Sequence, residues 1–261
     1  MNCAIVGLVR GYSGQKSKYE NLITRNNSIQ KHINKDNKYT MILFHEDNFL
    51  DEDKKYVQNS CDIKLEFINI SHIFKLQNKE LLEQVKDLDR FDVGYRMMCR
   101  FNSYYIWNLV SNFDYIMRVD EDIEILDIET NFFENMNKEN LVFLTGKFIS
   151  ETHQFTNETL PDQIKLETKS KDVNFYNHDF PYTNVYASRV DFWLQDNLNS
   201  QLRNISTSDF QFINRWGDLP ILGCFLNIYA EKNSFKKFRN LKYIHGSHGK
   251  KIVTKKTNIF G

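Results

Sequence analysis

The sequence predicts an α/β domain built around a largely parallel sheet. Short apolar runs at 4–9, 39–47 and 63–70 have the length and composition of β-strands. The stretch 95–109 instead places its apolar residues at helical spacing. Strands that alternate with helices along a chain are typical of a mostly parallel sheet flanked by helices.

Several of the predicted strands end in polar residues. "AIVGLV" (4–9) is followed by Arg10, and "YTMILFHED" (39–47) runs out into acids that include Asp47. "FDYIMRV" (113–119) is likewise followed directly by acids. Ligands of open α/β sheets bind beyond the carboxyl ends of the strands, so we expect these polar ends to line a binding site.

The second half of the chain is predicted to be mostly helical. Asp218, Leu219 and Pro220 precede "ILGCFLNIYA", which is the pattern of an N-cap with proline in the first helical turn. No repeat is visible, and no linker rich in Pro, Gly or Ser divides the chain. We therefore expect a single domain over 1–261.

Composition limits the classes of function. The chain has 34 Lys+Arg and 34 Asp+Glu, whereas a dedicated nucleic-acid binder usually carries a basic excess. The N-terminal stretch lacks the basic segment of a signal peptide, and no apolar run approaches the ~18 residues that span a bilayer. The cysteines are scattered, with no C-x-x-C pair. We expect a cytoplasmic protein with no nucleic-acid partner and no transmembrane segment.

The stretch "YIMRVDEDIEI" (115–125) places a group of acids behind an apolar run. Interpreted as one extended strand, it puts Asp120 and Asp122 on the same face, about 7 Å apart. Carboxylates this close raise the cost of ionising each other, and a divalent cation such as Mg²⁺ or Mn²⁺ relieves that cost. The alternative is a solvated acidic strand end paired with nearby lysines. The EF-hand, P-loop and Rossmann patterns are absent from the sequence.

A cation held by two carboxylates would also indicate the class of substrate that the site binds. Such a cation keeps open coordination positions, and substrate phosphates commonly fill them at Mg²⁺-type sites. The natural partner is therefore a nucleotide diphosphate. The cation would offset the negative charge that develops when a diphosphate leaves.

Four segments share motifs, in the same order, with a known enzyme family. They are "YRMMCRFNS" (95–103), "NFDYIMRVDEDIEI" (112–125), "INRWGDLP" (213–220) and "LKYIHG" (241–246). Together they resemble glycosyltransferase family 15, the fungal α-1,2-mannosyltransferases typified by the glycolipid 2-α-mannosyltransferase. The resemblance covers about 94–131 and 182–248.

The resemblance implies a GT-A glycosyltransferase fold, with a nucleotide- and metal-binding half at 1–147 and an acceptor-side half at 148–261. It implies GDP-mannose as the nucleotide-sugar donor, a glycan or glycoconjugate acceptor, Mn²⁺ (or Mg²⁺), and retention of configuration at the sugar carbon. Asp120, Asp122 and His245 fall on the positions that hold the metal in the family.

The resemblance also implies residues that bind the donor and react with it. "FHEDNF" (44–49) matches a family segment through its aspartate. Asp191 in "YASRVDFW" (186–193) falls near the acid proposed as nucleophile in the family. The donor-binding set predicted in this way, together with the polar strand ends, is Arg10, Asp47, Arg96, Arg100, Asp120 and Asp218.

This chain departs from the family pattern in two respects. Glu121 stands where the family has proline, and Asp120 is one methylene shorter than the family's glutamate. Family members are usually anchored in the Golgi membrane, whereas this chain begins directly at its first strand. We therefore keep the expectation of a cytoplasmic protein.

Other functions remain open from the sequence. The same chemistry could use another sugar nucleotide, since residues that read the base and the sugar are not identified. A nucleotidyltransferase would lack support from the "RWGD" and "YIH" segments. A non-catalytic carbohydrate-binding module would need no nucleotide. Retaining transfer proceeds either by two displacements through a nucleophile or by metal-assisted front-face attack, and both remain open.

Each candidate residue also has an ordinary structural interpretation. Asp218 is well explained as a helix cap, Arg96 and Arg100 could solvate a helix face, and Asp191 has the setting of a surface acid. His248 competes with the neighbouring histidine as a metal ligand. The lysine-rich tail is either a lid over the diphosphate or a solvated basic segment.

Overall fold

The computed structural model describes residues 1–75, 79–88, 90–170 and 179–246, together with the backbone of a final strand. The strands in chain order are β1 (Cys3–Val9), β2 (Thr40–His45), β3 (Leu65–Asn69), β4 (Tyr115–Val119), β5 (Ile123–Asp127), β6 (Phe143–Thr145), β7 (Phe148–Ile149), β8 (Phe180–Pro181), β9 (Val185–Arg189), β10 (Phe235–Lys237), β11 (Lys242–His245) and β12 (Lys251–Val253).

A central sheet of seven strands has the order β10-β6-β9-β4-β1-β2-β3. Strands β4, β1, β2 and β3 are all parallel, while β9 runs antiparallel between β6 and β4. A smaller sheet has the order β12-β11-β5, and β7 pairs with β8. The predicted α/β fold with a mostly parallel sheet is confirmed.

Helices cover this sheet. They are α1 (Glu20–His32), α2 (Asp51–Asn59), α3 (Val93–Arg100), α4 (Ile106–Leu109), α5 (Phe132–Lys138), α6 (Gln154–Thr168), α7 (Val190–Trp193), α8 (Asp196–Ser206), α9 (Asp209–Ile213) and α10 (Asp218–Tyr229). A π-helical turn at Phe101–Tyr105 joins α3 to α4, so the helical spacing of 95–109 corresponds to one continuous helical segment. The Asp92 side chain begins it by accepting the Tyr95 backbone N–H.

The core lies on both faces of the central sheet. In β1, Ile5 belongs to one buried cluster and Val6 to the other, because successive side chains point to opposite faces of a strand. Met117 and Ile116 divide in the same way in β4. Burial on both faces explains why these strands appear in the sequence as continuous apolar runs.

The central sheet draws strands from both sides of residue 147, since β6 pairs with β9 and β10. The division into a nucleotide-binding half and an acceptor-side half therefore stays a prediction about function. Within the ranges that the structure describes, no helix has the length and apolar character needed to cross a membrane.

Candidate metal centre and donor site

The two predicted metal-binding acids lie in a turn between strands of different sheets. Strand β4 ends at Val119 and β5 begins at Ile123, and the Ile123 N–H donates to the carbonyl oxygen of Asp120 at 3.3 Å. The prediction that 115–125 forms one extended strand is therefore wrong. The chain turns here because β4 belongs to the central sheet, whereas β5 pairs with β11 in the smaller one.

This turn lies at the carboxyl edge of the central sheet, where the sequence predicts a binding site. Asp120, Asp122 and His245 each offer one ligand atom, and these three atoms lie within 4.8 Å of one another. The turn therefore brings the two carboxylates together with the imidazole in a way that an extended strand would not.

The pairing of β5 with β11 places His245 beside Asp120 and Asp122. In the antiparallel pair of β5 and β11, His245 is opposite Ile123, the residue that follows Asp122. The Gly246 N–H donates to the carbonyl oxygen of Asp122 at 2.9 Å, and Nε2 of His245 lies 3.4 Å from Oδ1 of Asp122. His245 is buried, so its ring is held in place by the sheet.

Asn184 supports both sides of this cluster, and sequence reasoning missed it. Its carbonyl oxygen accepts the Asp120 backbone N–H at 3.0 Å, and its amide nitrogen lies 3.5 Å from Nδ1 of His245. The Asn184 amide also bonds the Tyr243 hydroxyl at 3.1 Å. The residue precedes β9, whose Val185 pairs with Val119 of β4, and this long-range pairing leaves no local signal in the sequence.

Arg118 is a second residue that sequence reasoning missed. It is buried, and its Nη2 donates to Oδ1 of Asp120 at 2.5 Å while its Nη1 lies 3.9 Å from Oδ2 of Asp218. Its Nη1 also donates to the carbonyl oxygen of Thr183. The available signal is its position two residues before Asp120, on the same face of the predicted strand.

Arg25 fixes the ends of the two strands nearest the site. It reaches from α1 as a fully buried side chain, and its Nη2 donates to the carbonyl oxygens of Val6 (3.0 Å) and Val119 (3.1 Å). Gly7 leaves the room for this contact, because a Cβ there would lie 2.8 Å from Nη2 of Arg25.

The charges in this turn favour a bound cation. The pKa of Asp120 is raised to about 6, chiefly by burial; the Arg118 guanidinium opposes this shift, while Asp218 and Asp122 contribute to it. Two carboxylates and an imidazole within one small volume match a divalent cation with oxygen and nitrogen ligands. The residues present therefore fit Mn²⁺ or Mg²⁺.

Two predicted donor-binding residues lie at the carboxyl ends of β1 and β2, on the same edge of the sheet as the turn. Arg10 follows β1; its backbone N–H donates to Glu121 at 2.9 Å and its side chain is 76% exposed. Asp47 follows β2 and is exposed, and its carboxylate accepts from the Asn69 side chain at 2.7 Å. Hydrogen bonds from Asn69 and Ser71 lower the pKa of Asp47, so this carboxylate stays ionised.

Asp218 is the first residue of α10, and it faces Arg118 rather than capping the helix. The N-cap is Gly217, which has extended backbone angles, and no side chain caps the helix there. The predicted cap is therefore displaced by one residue, while Pro220 does lie in the first turn. Asp218 lies beside the Arg118 guanidinium. This contact connects the "RWGD" segment to the turn at 120–122, which we call the metal turn.

The contacts of Arg96 are structural, and they give no support to the prediction that it binds the donor. Its side chain is fully buried, with Nε donating to the carbonyl oxygen of Phe91 (2.8 Å) and Nη1 to that of Phe212 (2.6 Å). Nη2 donates to the carbonyl oxygen of Lys86. These bonds tie α3 to α9 and to the backbone of Lys86 and Phe91.

Arg100 makes contacts of the same kind. Its Nε donates to the Gln211 side chain at 3.1 Å and its Nη2 to the carbonyl oxygen of Ser208 at 3.0 Å. Ser208 caps α9 and Gln211 lies within that helix. Arg100 thus also joins α3 to α9, and none of these contacts involves the metal turn.

Asp191 lies at the opposite edge of the sheet, and this placement gives no support to the prediction that it is the nucleophile. It follows the carboxyl end of β9, where Arg189 pairs with Tyr115 at the beginning of β4. The metal turn follows the other end of β4. The Asp191 side chain is 77% exposed and forms an ion pair with Arg189 at 2.8 Å.

His248, the competing histidine, lies outside the residues that the structure describes, and so does most of the lysine-rich tail. His245 is within the described part of the chain and is the histidine that meets the acids.

The family model of the glycolipid 2-α-mannosyltransferases matches residues 2–256 of this chain. The chain is 24% identical over 278 residues to the O-glycoside α-1,2-mannosyltransferase omh1 of Schizosaccharomyces pombe, a match that covers 95% of this chain and 70% of that protein. It is 26% identical to the probable mannosyltransferase KTR3 of Saccharomyces cerevisiae, over 59% of this chain and 42% of that protein.

Two solved structures have a similar fold. Core-mannan synthase A of Aspergillus fumigatus, in its Mn/GDP form, superposes with a TM-score of 0.78 at 20% identity, covering 94% of this chain and 74% of that chain. The mannosyltransferase Ktr4p of S. cerevisiae, in complex with GDP, gives 0.78 at 20% identity over 94% and 71%. These similarities confirm the predicted glycosyltransferase fold.

The prediction of a cytoplasmic protein is wrong. It was based on the lack of a signal peptide or membrane anchor, and such a lack does not fix the location of a protein. The similar proteins are fungal O-glycoside and glycolipid mannosyltransferases, which are typically associated with the Golgi membrane.

The resemblance found in four short motifs thus extends over nearly the whole sequence, and both metal-site acids and the histidine lie within the matched range. The chain belongs to the glycolipid 2-α-mannosyltransferase family.

Proposed function

We propose that this protein is a Mn²⁺-dependent, retaining mannosyltransferase that transfers mannose from GDP-mannose to a hydroxyl of a glycan or glycoconjugate. The observation that carries the proposal is the convergence of Asp120, Asp122 and His245, whose ligand atoms lie within 4.8 Å of one another. Membership of a mannosyltransferase family supports the choice of mannose.

The donor follows from the charges of the site and from the similar structures. A cation with three protein ligands keeps coordination positions for the oxygens of a diphosphate. The exposed guanidinium of Arg10 lies beside the same turn and can pair with a phosphate. Solved mannosyltransferases with this fold contain GDP, and one of them also contains Mn.

In this reaction the bond between the anomeric carbon of mannose and the diphosphate oxygen breaks, and the acceptor oxygen bonds to the same carbon. Bound Mn²⁺ would supply a Lewis acid that offsets charge on the departing diphosphate. Asp120, Asp122 and His245 would hold it. Arg118 and Asn184 would fix the Asp120 carboxylate and the His245 ring through the contacts described above.

We favour front-face attack for the stereochemistry. Asp191, the one nucleophile predicted from the sequence, lies at the far edge of the sheet. Front-face attack needs no nucleophile from the protein, because the acceptor oxygen approaches from the side that the diphosphate leaves. The proton of the acceptor hydroxyl then passes to the departing diphosphate.

The two halves of the chain take different parts in this proposal. Residues 1–147 supply the two metal-binding acids and Arg10, and would bind the nucleotide. Residues 148–261 supply Asn184, Asp218 and His245, and would form the acceptor side.

Calorimetric titration with nucleoside diphosphates in the presence of Mn²⁺ tests the function. We expect heat with GDP that depends on Mn²⁺ and is lost in Asp122→Ala, while Glu124→Ala, two residues further along the same segment, binds as the wild type does. Tight binding of UDP instead of GDP would point to another sugar nucleotide. Heat with mannosides but with no nucleotide would favour a carbohydrate-binding module.

Product analysis tests the reaction. With GDP-mannose, Mn²⁺ and a mannoside acceptor, we expect GDP and an α-linked product, identified by the one-bond carbon–proton coupling at the anomeric carbon. A β-linked product would exclude retention. A nucleotide-binding protein that neither transfers mannose nor hydrolyses the donor would contradict the proposed enzyme.

A further inference from the structure

Glu121 lies between the two metal-site acids, yet its carboxylate faces the loop that follows β1. Its Oε2 accepts the backbone N–H of Arg10 at 2.9 Å, and its Oε1 lies 3.7 Å from Nε of Arg10. The Glu121 side chain is 24% exposed, so these contacts are partly shielded from water.

The sheet explains why these two segments meet. β1 and β4 are parallel neighbours, with Val6 opposite Arg118, so their carboxyl ends lie side by side. Arg10 is the first residue after β1, and Glu121 is the second residue after β4. The contact therefore joins the first loop of the fold to the turn that carries the metal ligands.

The loop is anchored on its other side by backbone contacts. The Tyr12 N–H donates to the buried Tyr19 hydroxyl at 2.8 Å, and the Ser13 N–H donates to the carbonyl oxygen of Asn48 at 3.2 Å. Gly11 packs so closely here that a Cβ would lie 2.2 Å from the carbonyl carbon of Asn48. Glu121 thus adds a third contact to a loop that is also held by Tyr19 and by Asn48 of the β2–α2 connection.

The orientation of the Arg10 side chain indicates what its contact with Glu121 does. Its guanidinium meets Glu121 through Nε, and among the described residues no hydrogen bond or ion pair reaches Nη1 or Nη2. The two Nη groups are the pair that forms forked bonds with a phosphate. Without a partner for the backbone N–H and for Nε, the long Arg10 side chain would sample many orientations.

We propose that Glu121 is a positioning residue that orients Arg10 toward the diphosphate of the nucleotide-sugar donor. This inference rests on the proposed function. It assigns a role to Glu121, which stands where the family pattern has proline.

Steady-state kinetics with GDP-mannose and Mn²⁺ test the inference. We expect Glu121→Ala to raise KM for the donor about tenfold while kcat stays within about twofold, because Arg10 is lost from binding rather than from the chemical step. Glu121→Gln keeps an acceptor for the Arg10 N–H, so its KM should rise only about threefold. Glu124→Ala, in the adjoining strand, is the matched control and should leave KM unchanged.

A double-mutant cycle separates positioning from a general structural role. Arg10→Ala should raise KM about as much as Glu121→Ala, and the double variant should be no worse than Arg10→Ala alone. Effects that multiply in the double variant would overturn the inference, and so would a loss of kcat that follows a lowered melting temperature. If Glu121→Ala does not fold, the cycle is run with Glu121→Gln.

The two proposals fail in different ways. An active wild type whose Glu121 variants keep the wild-type KM would overturn only the role of Glu121. A wild-type chain that neither binds GDP nor turns over GDP-mannose would overturn the proposed function, and the inference with it.

Discussion

Arg118 donates from Nη2 to Oδ1 of Asp120 at 2.5 Å, and its Nη1 lies 3.9 Å from Oδ2 of Asp218. One buried guanidinium therefore sits between two carboxylates that belong to distant segments of the chain. It neutralises part of the negative charge of the turn and fixes the carboxylate that would hold the metal. Removing one partner of a buried ion pair leaves the other charges without compensation, which is more costly than losing an exposed pair.

Arg118→Ala should therefore destabilise the protein by about 3 kcal/mol in the absence of metal. Urea unfolding measured by circular dichroism gives the free energy of unfolding. Arg10→Ala is the control, because this exposed arginine should change stability by less than about 0.5 kcal/mol. Equal stabilities of the two variants would show that the Arg118 contacts contribute no more than a surface ion pair.

Asn184→Ala should weaken Mn²⁺ binding by about 10–100-fold while both acids and the histidine remain in place. The amide faces the His245 ring, and its loss lets that ring turn away from Asp122. The shift of the melting temperature with MnCl₂ concentration measures the affinity. Asn227→Ala, which removes an amide bonded only to a carbonyl within α10, should bind Mn²⁺ as the wild type does.

Mn²⁺ affinity should fall as the pH is lowered through about 6. The pKa of Asp120 is raised to about 6, chiefly by burial, so the carboxylate is protonated below this pH and the proton competes with the metal. We expect roughly a tenfold loss of affinity per pH unit below 6. Titrations at pH 7.5, 6.0 and 5.0 measure it, and an affinity that is the same at pH 5.0 and 7.5 would contradict the assignment of Asp120 as a ligand.

The metal-free protein should respond to pH in the opposite sense. The pKa of Asp120 in the folded state lies above its value of about 3.9 in an unfolded chain, so protonation favours the folded state. The contribution of this group to stability is fully present below pH ~3.9 and is lost as the pH rises through about 6. Asp120→Asn should remove this part of the pH dependence of unfolding.

The sequence predicted the fold and the candidate metal-binding acids for a clear physical reason. Strands buried on both faces appear in the sequence as continuous apolar runs, and polar residues follow their ends. Asp120 and Asp122 stand at such an end. The family motif supplied His245, since the pairing of β5 with β11 that brings it there joins segments far apart in the sequence.

The errors have physical reasons as well. Interpreting 115–125 as one strand failed because its apolar and polar alternation continues through a turn that only sheet topology reveals. Arg96 occupies a motif position and resembles a phosphate ligand in the sequence, yet its N–H groups donate to backbone carbonyl oxygens. The prediction for Asp191 rests on a local alignment. The antiparallel direction of β9 puts this residue at the edge of the sheet opposite the metal turn.

Arg96→Ala should lower stability without changing how the folded enzyme binds its donor. Its loss leaves buried carbonyl oxygens of Phe91 and Phe212 without a donor, at a cost of about 1–3 kcal/mol for each. Urea unfolding and the KM for GDP-mannose of the folded fraction measure the two effects. A raised KM with unchanged stability would restore the role predicted from the sequence.

Asp191→Ala should leave kcat and KM for GDP-mannose within about twofold of the wild type, because the residue is remote from the metal turn along β9 and β4. Its exposed pair with Arg189 predicts a stability change below about 1 kcal/mol. Asp122→Ala, assayed beside it, should lose transfer activity in the same Mn²⁺ buffer. A large loss of kcat in Asp191→Ala, with normal stability, would mean that this carboxylate reaches the donor and that transfer proceeds by two displacements.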